Sequence, residues 1–157
     1  SVLSALSASG LPANRLELEI TESVLLENTE SALSMLHQMR SLGVSIAMDD
    51  FGTGYSSLSY LQSFPFDKIK VDRSFIMDLG LTTGSVAVLR AVASLGSSLC
   101  VITTAEGVET EEQLMAVRAE GISQIQGYLV SPPKPAGEVL KLIAANLAQP
   151  NKNVSAA

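Results

Sequence analysis

Short runs rich in apolar and β-branched residues alternate along the chain with longer segments whose apolar residues recur every three or four positions. The short runs have the length and composition of buried strands, whereas the longer segments have helical periodicity. The predicted strands are Leu16–Ile20, Ser45–Met48, Lys68–Val71, Cys100–Thr104 and Ile122–Ile125. The predicted helices are Ser31–Leu42, Ser85–Leu95, Glu111–Ala119 and Ala136–Leu147.

Strands that alternate with helices predict a parallel sheet with helices packed outside it, in the α/β class. An open doubly wound sheet and part of a (β/α)8 TIM-type barrel both have this order, and strand spacings of about 20 to 30 residues fit either. Acidic residues follow the strands, and only a barrel gathers the carboxyl ends of its strands around one mouth. We therefore expect an incomplete (β/α)8 barrel of about five βα units. The acids in question are Glu19, Glu22, Asp49, Asp50, Asp72, Glu106 and Glu109.

The amino-acid composition and net charge exclude several classes of function for this chain. The 157 residues are 46% hydrophobic and 17% charged, which is sufficient for one buried core. A net charge of −6, an aromatic share of 4% and the absence of tryptophan argue against DNA binding. No apolar stretch reaches the ~20 residues of a membrane span. The single cysteine excludes an internal disulfide and makes a cytoplasmic location the default expectation.

Carboxylates that meet at one barrel mouth repel one another unless cations lie between them. Oxygen ligands, with no cysteine or histidine pair to accompany them, favour Mg²⁺ or Mn²⁺ over zinc. The adjacent Asp49 and Asp50 at a strand end have the chemistry to serve two ions. A pair of divalent ions is a common device for hydrolysing phosphate esters, because one side activates water and the other stabilises the leaving oxygen.

The acid pair is followed by Phe51–Ser56, here called the glycine loop. Its Gly52 and Gly54, with Thr53 between them, permit positive φ angles and a close approach of backbone to ligand. The loop is expected to lead into a helix, whose first amides favour an anion.

Lys70 lies within an otherwise apolar strand, where a lysine usually needs a carboxylate or a substrate as partner. Strand alternation places Lys68, Lys70 and Asp72 on one face. A charged face on a barrel strand must look either into the barrel near its mouth or outward between the helices.

Five segments resemble, in order and spacing, the signature blocks of EAL domains, the cyclic di-GMP phosphodiesterases. The resemblance extends from about residue 16 to the last predicted helix, almost the whole chain. It implies a βα barrel, a site for two Mg²⁺ or Mn²⁺ ions, and hydrolysis of cyclic di-GMP to the linear dinucleotide pGpG. The matching segments are Glu19–Glu22, Asp49–Ser56, Lys70–Asp72, Ala105–Glu109 and Gln126–Tyr128.

The resemblance also implies roles for five residues of the site. Glu19 matches a ligand of the first ion, Asp49 the carboxylate that bridges both ions, and Asp50 a ligand of the second. Lys70 resembles the residue that orients or deprotonates the attacking water. Glu106 resembles the acid that supports the second ion and its water.

Supporting positions are implied in the same way. Glu22 resembles the residue that anchors the glycine loop, and Gln126 resembles a polar contact near the ligand. Asp72 and Glu109 match supporting positions whose roles are less closely assigned.

One departure from the family pattern concerns the start of the domain. The Glu-Ala-Leu block and a metal-binding asparagine strand should precede Glu19, and neither occurs in the 157 residues. A complete barrel needs about 250 residues, of which five of eight units take about 156. We therefore interpret residues 1–148 as the C-terminal part of one EAL-type domain that begins in the helix before its fourth strand, with 149–157 as a flexible tail. Unpaired sheet edges then predict homo-oligomers, and the isolated chain is expected to be inactive.

Two other functions remain open at this point. The parent protein would act as a noncatalytic cyclic di-GMP receptor if its native gene lacked the Glu-Ala-Leu strand. Upstream GGDEF or sensory modules are compatible with either function. Without the resemblance, a barrel aldolase that uses Lys70 as a Schiff base would also fit.

Overall fold

The computed structural model describes residues 2–21, 24, 29–54, 64–80 and 83–147. Helices and strands alternate along them, with a 3₁₀ turn at Ala13–Arg15 before the first strand. None of these helices has the length and apolar character needed to cross a bilayer. In chain order the elements are α1 (Val2–Ser9), β1 (Glu17–Thr21), α2 (Thr29–Ser41), β2 (Ser45–Phe51), β3 (Lys68–Val71), α3 (Arg73–Met77), α4 (Thr83–Leu99), β4 (Ile102–Glu106), α5 (Glu111–Ala119), β5 (Gln124–Gln126) and α6 (Ala136–Leu147).

The strands form one parallel sheet in the order β1-β2-β3-β4-β5. A doubly wound sheet reverses its order at a switch point, whereas the strands of a barrel follow one another in sequence. The uninterrupted order therefore selects the barrel, and the structure is an open five-stranded section of a (β/α)8 barrel. Within the described residues, β1 and β5 are each paired on one side.

All five predicted strands exist, but the ends of some differ. The predicted fourth strand started at Cys100, and this was wrong because Cys100 has a φ of +55° and belongs to the turn after α4. The second strand continues to Phe51, beyond its predicted end at Met48. The helices α5 and α6 have the predicted bounds, and α4 is longer than predicted at both ends. The sequence reasoning missed α3.

The two faces of the sheet differ in polarity because side chains alternate along each strand. One face packs against the helices through apolar residues such as Ile46, Met48, Ile69, Val71 and Ala105, all at most 2% exposed. Each large apolar side chain buried in this way contributes roughly 1.5–3 kcal/mol to stability. The opposite face, which is the barrel interior, carries Glu17, Glu19, Asp49, Lys68, Lys70, Thr104 and Glu106. The interior of this barrel is therefore polar, whereas bulky branched residues usually fill it.

Candidate active site

Lys70 lies at the centre of the acidic residues at the strand ends. Its Nζ atom is 2.6 Å from Glu19 Oε1, 3.2 Å from Asp49 Oδ1 and 2.6 Å from Glu106 Oε1. These partners come from β1, β2 and β4, while Lys70 itself comes from β3 and its side chain is 4% exposed. Four strands thus bring their charged side chains to one point, as the barrel prediction required.

The protonation of Lys70 follows from these partners. Burial alone would lower the Lys70 pKa, but the hydrogen-bonded carboxylates of Glu106 and Glu19 outweigh it and raise the pKa above the ordinary lysine value. The side chain is therefore an ammonium at neutral pH, and a Schiff base requires a free amine. The aldolase interpretation loses its nucleophile in this arrangement.

Asp49 and Asp50 are adjacent in the chain, yet their carboxylates lie on the same side. Consecutive residues of a regular strand would point to opposite faces. The pairing of β2 with β3 shifts register between Met48 and Phe51, and Asp50 adopts a left-handed φ of +55°. This bulge turns both side chains toward Glu106, so that carboxylate oxygens of the three residues lie within 4.8 Å of one another.

The acid cluster has the chemistry of a divalent cation site. Asp49 Oδ1 is fully buried and, beyond its ion pair with Lys70, receives no hydrogen bond from the described residues. Burial raises the pKa of Asp50, and the charge of Asp49 raises it further. Burial likewise raises the pKa of Glu106, with Asp49 adding to this against the effect of Lys70. A divalent ion would relieve this repulsion, and donors that are all oxygens suit Mg²⁺ or Mn²⁺.

The start of the glycine loop is a tight turn. The Asp50 carbonyl accepts hydrogen bonds from the Thr53 amide at 3.3 Å and the Thr53 hydroxyl at 2.9 Å. Gly52 has a φ of +96°, which favours glycine. Gly54 is the last described residue of the loop, so the expected helix at its end lies outside the described residues. The predicted anchor, Glu22, lies outside them as well.

Gln126 is exposed at the end of β5, where it pairs in register with Glu106. Its carbonyl accepts a 3.1 Å hydrogen bond from the Val108 amide, which joins the loops after β4 and β5. Gly127 permits this close approach, since a methyl group there would lie 2.2 Å from the Val108 oxygen. The backbone therefore holds Gln126 beside Glu106.

The two supporting acids lie at helix starts. The Asp72 carboxylate caps α3 by accepting hydrogen bonds from the amide and the hydroxyl of Ser74. Burial would raise the Asp72 pKa, but these hydrogen bonds outweigh it and lower the pKa. Glu109 is exposed before α5, and its amide donates a 2.7 Å hydrogen bond to Gln113 Oε1. Asp72 thus affects the site through the position of α3 and through its charge, which contributes to the raised pKa of Asp50.

A second ion pair, of a buried lysine with a partly exposed glutamate, lies one layer below Lys70 in the barrel interior. Lys68 Nζ is 2.9 Å from Glu17 Oε2, and Lys68 is 7% exposed. The sequence reasoning placed Lys68 on this face but missed Glu17. The signal was present, because Glu17 and Glu19 have the same two-residue spacing as Lys68 and Lys70.

The geometry can now be compared with known proteins. The EAL domain family matches residues 1–133. This chain belongs to the EAL domain family. It is 43% identical over 141 residues to the cyclic di-GMP phosphodiesterase NbdA of Pseudomonas aeruginosa, a match that covers 90% of this chain and 18% of NbdA.

Two solved structures extend this likeness to the fold. PaMucR phosphodiesterase, in a c-di-GMP complex, matches with a TM-score of 0.84 at 40% identity over 88% of this chain and 56% of that one. Klebsiella pneumoniae BlrP1, in a complex with manganese and cyclic di-GMP, matches with a TM-score of 0.79 at 35% identity over 84% and 34%. The EAL chain described here therefore has relatives that act on or bind this nucleotide, one of them with a divalent metal.

Proposed function

We propose that the protein containing this chain is a cyclic di-GMP-specific phosphodiesterase. It would add water across one phosphodiester bond of cyclic di-GMP and release linear pGpG. The observation that supports this most directly is the convergence of Glu19, Asp49 and Glu106 on Lys70, with Asp50 turned into the same cluster. EAL-family membership and the activity named for NbdA agree with it.

The proposal gives each residue of the acid cluster a task. Asp49, Asp50 and Glu106 would hold two Mg²⁺ or Mn²⁺ ions, with Glu19 as a further ligand. The bound ions would supply an activated water and stabilise the leaving oxygen. Lys70, whose Nζ lies within 3.2 Å of Glu19, Asp49 and Glu106, would orient or deprotonate the attacking water. Gln126, held beside Glu106 at the mouth, would contact the nucleotide.

The test is hydrolysis of cyclic di-GMP by the full-length protein with Mg²⁺ or Mn²⁺, followed by chromatography of pGpG. Asp49→Ala and Lys70→Ala should each abolish measurable turnover, a loss of roughly 10²- to 10⁴-fold. Lys134→Ala is the control, because Lys134 forms an exposed ion pair with Glu138 and should keep full activity. Near-normal turnover by either site variant would overturn the proposal. Nucleotide binding without hydrolysis by the unaltered protein would instead indicate a receptor.

The proposal also covers the activity of the isolated chain, its C-terminal tail, its location and its partners. The isolated chain would not hydrolyse the nucleotide, because EAL resemblance places further ligands of the first ion before Glu19. A tail at 149–157 lies outside the described residues and stays a prediction. A cytoplasmic location, homo-oligomers and upstream GGDEF or sensory modules stay predictions too.

A further inference from the structure

The short helix α3 lies between the two loops that carry the acid cluster. On one side its Phe75 contacts the glycine loop, which begins directly after Asp50. On the other side Arg73 contacts Gly107, where a methyl group would lie 2.6 Å from Arg73 Cβ. Gly107 directly follows Glu106, so α3 touches the backbone next to acids of both β2 and β4.

Phe75 is the α3 residue that packs against Gly52, near the start of the glycine loop. A methyl group built on Gly52 would lie 2.9 Å from Phe75 Cε2, so the ring packs directly against the glycine. Phe75 also packs against the core cluster that contains Val71 and Ile76. The ring is therefore supported from behind, and the loop cannot move toward α3 without displacing it.

The α3 helix itself is secured at both ends. Asp72 caps its start through Ser74, and the Ile76 carbonyl near its end accepts a 3.4 Å hydrogen bond from Gln113 Nε2. Gln113 belongs to the capping box that opens α5. Phe75 is thus presented to the loop from a helix whose position is independent of the loop.

The contact with Phe75 reaches Asp50 through one tight turn. Gly52 lies between Asp50 and Thr53, whose amide and hydroxyl both bond to the Asp50 carbonyl. Asp50 retains a left-handed φ that costs a non-glycine residue free energy, so the surrounding contacts must maintain it. In this conformation of the bulge, carboxylate oxygens of Asp50, Asp49 and Glu106 lie within 4.8 Å of one another.

We infer that Phe75 is a positioning residue for the metal centre. By packing against Gly52 it holds Asp50 in the conformation that can bind a divalent ion. This inference rests on the proposed function, because it assumes that Asp50 binds an ion. According to this inference, Phe75 affects the affinity for the ion bound by Asp50. The affinity for the other ion, held by Glu19 and Asp49, does not depend on Phe75.

The first experiment titrates Mn²⁺ into the full-length protein without nucleotide, with free Mn²⁺ followed by electron paramagnetic resonance. Phe75→Ala should weaken one of two binding events by roughly 10- to 100-fold, the usual cost of removing support behind a ligand. Phe75→Leu, which keeps apolar volume, should recover most of the affinity. Met77→Ala is the matched control on the same helix, since Met77 is 63% exposed and should bind both ions normally.

A second experiment tests whether Phe75 acts through Gly52. Gly52→Ala combines backbone strain with a clash against the ring, whereas Gly80→Ala has a similar φ of +88° and no atom within 4 Å of the added methyl. Gly52→Ala should therefore weaken Mn²⁺ binding, and Gly80→Ala should not. In the double variant Gly52→Ala/Phe75→Ala, the loss should be smaller than the product of the two single losses, because removing the ring removes the clash.

The outcomes separate this inference from the proposed function. If the unaltered protein neither binds Mn²⁺ nor hydrolyses cyclic di-GMP, the proposed function fails and the inference falls with it. If the unaltered protein does both while Phe75→Ala binds two ions with unchanged affinity, only the inference is overturned. Losses that multiply in the double variant, or an equal loss of both ions, would overturn it as well. Should Phe75→Ala fail to fold, Phe75→Leu and Gly52→Ala supply the same comparison.

Discussion

Asp50 shows how one unusual backbone conformation can serve a site. Its left-handed φ reverses the alternation of β2 at the point where the sheet ends, so two neighbouring aspartates face one cluster. Burial and the charge of Asp49 raise the Asp50 pKa above its ordinary value, so the ionised carboxylate destabilises the folded chain in the absence of a cation. The free-energy cost of the ionised Asp50 carboxylate to the metal-free folded state is consistent with a role of Asp50 in binding a cation.

Replacing Asp50 by asparagine should separate these two effects. Asparagine tolerates the left-handed conformation and carries no charge, so Asp50→Asn should raise the thermal unfolding temperature of the metal-free protein. The same change should weaken Mn²⁺ binding by roughly 100-fold, because asparagine presents a neutral amide oxygen in place of the negatively charged carboxylate. Calorimetry with and without Mn²⁺ measures both effects. A lowered unfolding temperature in the metal-free variant would contradict the account of Asp50.

Among the elements, α3 depends most on a single side chain. It has five residues, too few to be stable alone, and the Asp72 carboxylate satisfies the exposed amide and hydroxyl of Ser74 at its start. The cap also determines where Phe75 meets the glycine loop.

Removing the cap should therefore destabilise the chain and reduce activity together. Asp72→Ala should lower the free energy of unfolding by about 1 kcal/mol, the usual cost of losing an N-cap. Asp72→Ser, which keeps a capping oxygen, should recover most of the stability and turnover. Urea unfolding and a turnover assay on the full-length protein provide the comparison. Failure of serine to restore turnover despite restored stability would show that the charge of Asp72 matters more than its capping.

Close packing between α4 and β4 provides another prediction for the elements. A methyl group on Gly96 would lie 2.3 Å from Thr103 Cγ2, whereas one on Gly84 in the same helix meets no atom within 4 Å. Gly96→Ala should thus destabilise the protein by roughly 1–3 kcal/mol. Gly84→Ala should instead stabilise it by up to about 1 kcal/mol through its helix propensity. Denaturant unfolding of both variants measures whether their changes in the free energy of unfolding have opposite signs. Equal changes in the two variants would refute the packing argument.

For the whole molecule, the open sheet is the dominant feature. The described sheet leaves one side of β1 and one side of β5 unpaired, and its interior face is lined with charges. Unpaired strand edges favour association with another chain, because their backbone amides and carbonyls need partners.

The isolated chain should accordingly self-associate or be poorly soluble. Size-exclusion chromatography with light scattering, over a range of concentrations, measures this directly. A monodisperse monomer at high concentration would show that something else covers the two edges.

The positions of the five strands and of four helices could be predicted from periodicity alone, although several ends differ, and the EAL resemblance identified the acids that meet at Lys70. Local patterns also placed Lys68 and Lys70 on one face. They could not reveal that Cys100 leaves the fourth strand, because it adopts the left-handed conformation of the turn that ends α4, a position usually taken by glycine. Nor could they reveal α3, whose five residues are too few for a periodic pattern.

The sequence by itself determined the alternation of elements, the identity of the charged side chains and the family. Only the tertiary structure decided that Glu17 pairs with Lys68, that a bulge turns Asp50 beside Asp49, and that Phe75 supports Gly52. The reason is physical, since alternation and propensity act between near neighbours in the chain. The contacts of Lys68 and Gly52 join residues of different elements, and the bulge at Asp50 belongs to the pairing of β2 with β3. All three exist only after the parallel strands have paired in register.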